Sequence, residues 1–141
     1  MYDQRVREPR LTAPWNLRSG APLEPRILDE VRLAVGARYG VLFDSAGFNL
    51  YRDGQDSVAW HGDRIRREMI SLGEPRKFLL RRKGGGPSRA LLLGRGDLLV
   101  TGGKTQRAWD HSVPKVARAG PRISVAYRYG LAIAKEASDE Y

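Results

Sequence analysis

Short runs in which apolar and polar residues alternate make up most of the chain after residue 43. Alternation with a period of two is typical of strands that bury one face. Glycine, proline and aspartate separate the runs and predict turns between them. We expect strands over residues 48–51, 57–61, 77–81, 90–93, 97–101, 108–113 and 122–129. This spacing predicts a β-sandwich or an open barrel.

A different period marks residues 26–40, where apolar residues recur every three or four positions and predict an amphipathic helix. The apolar positions are Ile27, Leu28, Val31 and Val35. A glycine, Gly36 or Gly40, is expected to end this helix. Residues 1–25 contain four prolines and are expected to be extended or looped.

Length and charge narrow the functional classes. A chain of 141 residues and 15.8 kDa has room for one domain, residues 1–141, and excludes a two-domain enzyme. It has 25 Lys and Arg against 16 Asp and Glu, a net charge of +9, which favours a polyanionic partner such as nucleic acid. With no cysteine, a metal site must use histidine and carboxylate ligands.

No apolar run approaches the roughly 18 residues that a membrane span needs, and the N-terminus lacks the apolar segment of a signal peptide. We therefore expect a soluble intracellular protein, cytoplasmic or associated with the nucleoid, with no membrane partner and no obligate protein partner.

The two histidines are the candidate metal ligands. His61 and Asp63 are two positions apart after a predicted strand, so both side chains lie on one face. A neighbouring strand of the same sheet can bring His111 to them. Two histidines and one carboxylate form the facial triad of non-haem Fe(II) oxygenases, which leaves three coordination positions open. The alternative is that both histidines are ordinary strand residues.

The last predicted strand points to an anion. Its period of two places Ile123, Val125 and Tyr127 on an apolar face, and Arg122, Ser124, Ala126 and Arg128 on the other. Two guanidinium groups on one face are costly to bury without a partner, which favours a dicarboxylate ligand. A solvated basic face that contacts nucleic-acid phosphates is the alternative. Asn49 and Tyr51 share a strand face and offer further donors.

These residues together resemble the AlkB family. The similarity is carried, in order, by Pro9-Arg10-Leu11-Thr12-Ala13, Asn49-x-Tyr51, His61-x-Asp63, Ser71-Leu72-Gly73, Gly96-Asp97, His111 and Arg122-x-Ser124-x-x-x-Arg128. It covers nearly the whole chain, and the combination is far more specific than any one part.

The resemblance implies a mainly β (α+β) fold, a double-stranded β-helix or jelly roll. An N-terminal nucleotide-recognition lid (residues 1–25), a helix (26–40) and a jelly-roll core (41–141) are expected, with one or two helices packed outside. Fe(II) would be held by His61, Asp63 and His111. The cosubstrate 2-oxoglutarate would bind the iron, with Arg128 on its distal carboxylate. Arg122, Asn49 and Tyr51 would complete the pocket, and Ser124 matches a position that is often Asn in this family.

The activity implied is oxidative demethylation of N-alkylated bases in DNA or RNA, which consumes dioxygen and 2-oxoglutarate and releases succinate, carbon dioxide and formaldehyde. The target base must be flipped out or presented in a single strand. Candidate substrate contacts are Tyr2, Arg10 and Trp15 in the lid segment, and Trp60 beside His61.

The chain departs from the family pattern in two places. It is several residues shorter between Asp63 and Ser71, which predicts either a truncated strand or missing residues around Met69 and Ile70, and it begins almost at the lid. Two other functions stay open: a noncatalytic basic nucleic-acid-binding β domain, and a 2-oxoglutarate oxygenase that acts on a protein or a small molecule.

Overall fold

Nine strands and one complete α-helix lie within residues 10–62, 67–102 and 107–130, the part of the chain that the computed structural model describes. The strands are β1 (Leu11–Asn16), β2 (Ser45–Tyr51), β3 (Val58–His61), β4 (Arg67–Gly73), β5 (Arg76–Arg82), β6 (Arg89–Leu93), β7 (Leu98–Thr101), β8 (Trp109–Val113) and β9 (Arg122–Arg128). The helix α1 covers Arg26–Tyr39, and a single 3-10 turn covers Leu17–Ser19.

The strands form two antiparallel sheets. The major sheet has the order β1-β2-β9-β4-β7 and the minor sheet the order β3-β8-β5-β6. One core cluster joins them, because Tyr51 and Met69 of the major sheet pack with Phe78, Leu93 and Val113 of the minor sheet. The prediction of a mainly β jelly roll is confirmed.

Helix α1 lies against the outer face of the major sheet. Leu28, Val31 and Val35 pack on the cluster that contains Val125 and Tyr127 of β9, and the Tyr127 hydroxyl donates to the Leu28 carbonyl at 2.8 Å. Burial raises the pKa of Tyr127 to about 12, so this donor keeps its proton. Among the described residues, no helix has the length and apolar character to cross a bilayer.

Of the two glycines expected to end the helix, Gly40 does so. It adopts a φ of 67° and its N–H bonds the Gly36 carbonyl, the usual glycine C-terminal cap. Gly36 lies inside the helix, where a Cβ would stand 2.3 Å from the Val41 carbonyl oxygen. The close return of the chain after the cap therefore requires this second glycine.

Strand β9 is buried on both faces. Val125 and Tyr127, predicted to lie on an apolar face, pack against the helix at 1% and 0% exposure, whereas Ile123 of the same face is 41% exposed. Arg122 and Ser124 on the other face are each 1% exposed. The alternative of a solvated basic face is therefore wrong at Arg122. The minor sheet covers that face, which places polar groups of β9 between the sheets.

The prediction of a truncated strand before Ser71 is wrong. Strand β4 pairs with β9 over seven residues, from Arg67 opposite Arg128 to Gly73 opposite Arg122, and over four residues with β7. Main-chain hydrogen bonds to two neighbours maintain this strand, so it does not need the apolar run that the sequence lacks.

The proline-containing segment holds a strand. β1 pairs with β2 along its full length, Leu11 opposite Leu50 through Asn16 opposite Ser45. Because β1 lies at the edge of the major sheet, Pro14 does not interrupt a second ladder. Residues 1–9 lie outside the described residues, so the lid stays a prediction.

The turn between β2 and β3 is closed by an ion pair. Nε and Nη2 of Arg52 donate to the Asp56 carboxylate at 2.8 and 3.0 Å, and the Arg52 main-chain N–H adds a third bond at 2.8 Å. These hydrogen bonds lower the pKa of Asp56 from 3.8 to about 2. The charged carboxylate therefore stabilises the folded state.

We expect Asp56→Asn to lower the Tm at pH 7 by about 3 °C. Because the folded-state pKa lies below the unfolded one, this stabilisation is complete above pH 5 and is lost as the pH falls toward 2. The difference in Tm between wild type and variant should thus vanish over that range in thermal melts. Asp53→Asn is the control, because the Asp53 carboxylate lies in the same turn but accepts from the Gln55 N–H and not from Arg52. A difference that stays constant to pH 2 would contradict this assignment.

Candidate metal and anion site

His61 and His111 lie side by side on β3 and β8 of the minor sheet. They are register partners across the antiparallel pair, their ring centroids are 4.1 Å apart, and the planes meet edge to face at 62°. His111 is 8% exposed. The structure thus brings together two histidines separated by fifty positions, as the sequence predicted.

The His61 ring is oriented by its own strand. Its Nδ1 atom lies 2.8 Å from the Ala59 carbonyl oxygen. A carbonyl only accepts, so Nδ1 carries the hydrogen of this contact and Nε2 is the ring nitrogen left to bind a metal. A carbonyl partner on one ring nitrogen is the usual arrangement for a metal-binding histidine.

Phe78 fixes the plane of His111. The two rings are stacked, with centroids 5.1 Å apart and an angle of 19° between planes, and Phe78 is 1% exposed. Phe78 was not among the site residues predicted from the sequence. The only indication was an aromatic residue at an inward position of a predicted strand, which is equally typical of an ordinary core.

A cavity of about 50 Å³ opens beside the two histidines, between the sheets. Its wall contains six of the residues predicted for the metal and the cosubstrate, together with Arg10 and three apolar residues. The lining residues are Arg10, Asn49, Tyr51, Val58, His61, Met69, His111, Val113, Ser124 and Arg128. Residues more than fifty positions apart in the chain therefore line one space.

The third predicted metal ligand, Asp63, lies outside the described residues. Within residues 10–62, 67–102 and 107–130, no group of three His, Cys, Asp or Glu side chains converges on one point. The described part supplies two imidazole ligands. These nitrogen donors suit Fe(II), and the guanidinium groups nearby suit an anionic cosubstrate, so the residues present fit both groups.

Asn49 is held at both ends of its amide. Its Nδ2 donates to Ser124 Oγ at 3.2 Å, and its Oδ1 accepts from Arg10 Nε at 3.0 Å. Arg10, predicted as a nucleic-acid contact, thus stands on the cavity wall beside a predicted cosubstrate residue. The Ser124 hydroxyl on the same wall is the partner of the Asn49 amide nitrogen.

Arg122 lies behind the cavity wall rather than in it. Its Nε donates to Ser71 Oγ at 2.8 Å, and its Cζ is 5.0 Å from the centre of the Tyr51 ring. Nη1 and Nη2 are buried and have no hydrogen-bond partner among the described residues. Burial lowers the pKa of Arg122, and the Tyr51 phenol opposes part of that change.

Arg128, at the end of β9, borders two spaces. It lines the small cavity and a groove of about 460 Å³ between β1 and β2 that also contains Thr12 and Asn16. Its Nη1 lies 3.9 Å from the position that a Cβ on Gly47 would take. Among described residues it forms no ion pair with a carboxylate, so its guanidinium is available to an anion.

The aromatic substrate candidates are dispersed. Trp15 donates its indole N–H to the Ala21 carbonyl at 2.9 Å and lies 5.3 Å from the Arg32 guanidinium, on the edge strand. Trp60 lies under Arg81, with Cζ 4.1 Å from the ring centre. Tyr2 is outside the described residues. The substrate roles of all three stay predictions.

We expect Phe78→Leu to weaken Mn(II) binding about tenfold, because the His111 ring loses the surface that sets its plane. Isothermal titration of the protein with Mn(II) measures this affinity. Leu93→Ala, in the same core cluster but not on the cavity wall, is the control and should lower the Tm with little change in affinity. Equal losses in both variants would mean that general destabilisation is the cause.

The sequence also matches known proteins. The profile of the 2OG-Fe(II) oxygenase superfamily matches residues 21–131. The DNA oxidative demethylase ALKBH2 of Arabidopsis thaliana is 34% identical over 123 residues, covering 65% of this chain and 39% of that protein. The alpha-ketoglutarate-dependent dioxygenase alkB homolog 3 of Homo sapiens is 30% identical over 153 residues, covering 89% and 53%.

The solved structure of OsALKBH1 superposes with a TM-score of 0.60 at 18% identity, over 77% of this chain and 67% of that one, which supports the same fold. The chain spans about half the length of the curated relatives it matches. The profile match covers well over half of the chain. The chain therefore belongs to the 2OG-Fe(II) oxygenase superfamily and, within it, to the AlkB family.

Proposed function

We propose that this protein is an Fe(II)- and 2-oxoglutarate-dependent dioxygenase that demethylates N-alkylated bases in DNA or RNA. The supporting observation is the pairing of His61 with His111 on a cavity wall that also contains Arg128 and Tyr51. Relatives named as DNA oxidative demethylases and as an alpha-ketoglutarate-dependent dioxygenase agree with it. We include in the proposal a cytoplasmic or nucleoid location.

In this proposal three side chains bind the metal, and the metal with its cosubstrates supplies the oxidation. His61, His111 and Asp63 would hold Fe(II), His61 through Nε2 while its Nδ1 stays bound to the Ala59 carbonyl. The bound iron, 2-oxoglutarate and dioxygen supply the oxidation that turns an N-methyl group into an unstable hydroxymethyl group, with succinate and carbon dioxide as coproducts and formaldehyde as the final leaving group.

The polar wall would bind the cosubstrate. Arg128 offers two parallel N–H donors to the distal carboxylate, the arrangement in which guanidinium binds carboxylate most strongly. Tyr51 offers its hydroxyl, while Ser124 acts through the Asn49 amide that it contacts. Arg122 stands behind Tyr51 and adds positive charge.

The apolar wall would keep the reacting groups away from water. Val58, Met69 and Val113 line the cavity next to the histidines, and Met69 and Val113 are 5% and 4% exposed. A water-poor site strengthens the charge interactions inside it and protects reactive species from side reactions.

A basic rim beside the histidines would bind nucleic acid. Arg82 lies 5.6 Å from the Trp109 ring, and its register partner is Trp109, so by strand alternation both lie on the face of His111. The Lys83 side chain reaches the space next to Gly62, where a Cβ would stand 3.1 Å from its Nζ. Arg82 and Lys83 are exposed, which suits contact with phosphates.

The direct test is anaerobic titration with Fe(II) and 2-oxoglutarate, followed by oxygen and a methylated oligonucleotide. We expect a weak visible charge-transfer band, then stoichiometric succinate and formaldehyde. Succinate without formaldehyde would move the substrate to a protein or a small molecule. No band with retained nucleic-acid binding would favour the noncatalytic domain.

His61→Ala should abolish turnover and leave salt-sensitive oligonucleotide binding intact, because the ligand serves chemistry and not phosphate contact. Steady-state kinetics measure turnover, and fluorescence anisotropy measures oligonucleotide binding. Retained turnover in the His61 variant would remove His61 from the metal site.

Arg128→Ala should instead raise the KM for 2-oxoglutarate at least tenfold, with a smaller effect on kcat at saturation. Steady-state kinetics with varied 2-oxoglutarate measure both constants. An unchanged KM would remove Arg128 from the cosubstrate site.

Neutralising the rim should reduce the salt dependence of binding. In the double variant Arg82→Gln, Lys83→Gln the magnitude of the negative slope of log K against log[salt] should fall by about 0.7–0.9 for each lost phosphate contact. Lys77→Gln is the matched control, since Lys77 is an exposed cation on the same strand at a position of opposite parity to Arg82. Equal changes for each charge removed would indicate overall charge rather than a localised rim.

A further inference from the structure

We propose that Arg76 is a positioning residue of the cosubstrate site: it acts through Tyr51 and Arg122 by adding a second buried positive charge behind the cavity wall. This inference rests on the proposed function, because it concerns the binding of 2-oxoglutarate. Arg76 itself does not line the cavity.

Arg76 is fixed by main-chain oxygens. It is 2% exposed, and its Nη2 donates to the carbonyls of Asp56 and Pro114 at 2.8 Å each, while Nη1 donates to the carbonyl of Asp53 at 3.1 Å. Carbonyl dipoles solvate the guanidinium but carry no net charge. The positive charge of Arg76 is therefore held in place without being neutralised by these bonds.

The positive charges of Arg76 and Arg122 both act on the Tyr51 ring. The Cζ atoms of Arg76 and Arg122 lie 5.5 and 5.0 Å from the centre of the same Tyr51 ring, and Tyr51 lies on the cavity wall. Two cations against one phenol ring are attracted by its π-electrons. They also draw electron density from the hydroxyl, which makes it a stronger donor to a carboxylate.

The local charge balance favours an incoming anion. Burial is the main cause that lowers the pKa of Arg76 and of Arg122, and the charge of Arg76 lowers the pKa of Arg122 further. The Asp56 carboxylate, whose charge acts on Arg76, is bonded in two places by the Arg52 side chain. Nη1 and Nη2 of Arg122 have no hydrogen-bond partner in the described part of the chain. A dianionic cosubstrate would relieve the repulsion between the two arginines.

The competing explanation is that Arg76 has a purely structural role and connects the β2–β3 turn to Pro114, the residue after β8. A purely structural role depends on the three hydrogen bonds to carbonyl oxygens, which neither Lys nor Gln can reproduce in full. Charge, by contrast, is kept by Lys and lost in Gln. The comparison of these two variants therefore separates the two roles.

The experiment measures 2-oxoglutarate binding at equilibrium to the Mn(II)-loaded protein by isothermal titration, beside the Tm of each variant. We expect Arg76→Gln to raise the Kd about tenfold and Arg76→Lys less than threefold, although both lower the Tm. The double variant Arg52→Gln, Asp56→Asn removes the ion pair of the same turn with no change in net charge, keeps Arg76, and should change the Kd less than twofold.

The outcomes are distinct. Binding by Arg76→Gln within twofold of wild type, or equal losses in the Lys and Gln variants, would overturn the inference. If Arg76→Gln does not fold, a tenfold loss in the folded Arg76→Lys variant would overturn it as well. Absence of 2-oxoglutarate binding to the wild-type protein would instead refute the proposed function.

Discussion

The pairing of β9 with both β2 and β4 is the constraint on which the rest of the structure depends. All seven residues of β9 have a register partner on each side, which fixes the direction of every side chain along it. Val125 and Tyr127 are thereby directed to helix α1, and Arg122 and Ser124 to the space between the sheets. A slip of one residue would exchange the faces and place the arginines against the helix.

Two buried arginine side chains carry a free-energy cost that the fold must offset. Among the described residues, Arg76 and Arg122 are the two largest side chains that are almost fully buried, and a buried cation is costly without compensation. Carbonyl oxygens compensate Arg76, whereas Arg122 has Ser71 and the face of Tyr51. This uneven compensation concentrates positive charge behind one wall of the cavity, next to the paired histidines.

Much of the site could be predicted from the sequence because its residues follow strand periodicity. The two-residue spacing of Asn49 and Tyr51, and the alternation along β9, required no knowledge of partners. The residues that contact and orient them could not be found from this periodicity. Phe78 and Arg76 act through contacts with residues that are distant in the chain, and Arg10 reaches Asn49 only because β1 pairs with β2. Local patterns contain no information about such neighbours.

The sequence by itself determined the mainly β composition, the helix ending at a glycine, the candidate ligands and the resemblance to the AlkB family. Each of these depends on local periodicity, turn chemistry or motif order. The tertiary structure alone decided that β4 is a full strand, since two flanking ladders stabilise it despite its polar residues. It also decided which arginine meets the cavity and which stands behind it, because burial and charge balance arise only when two sheets enclose the same space.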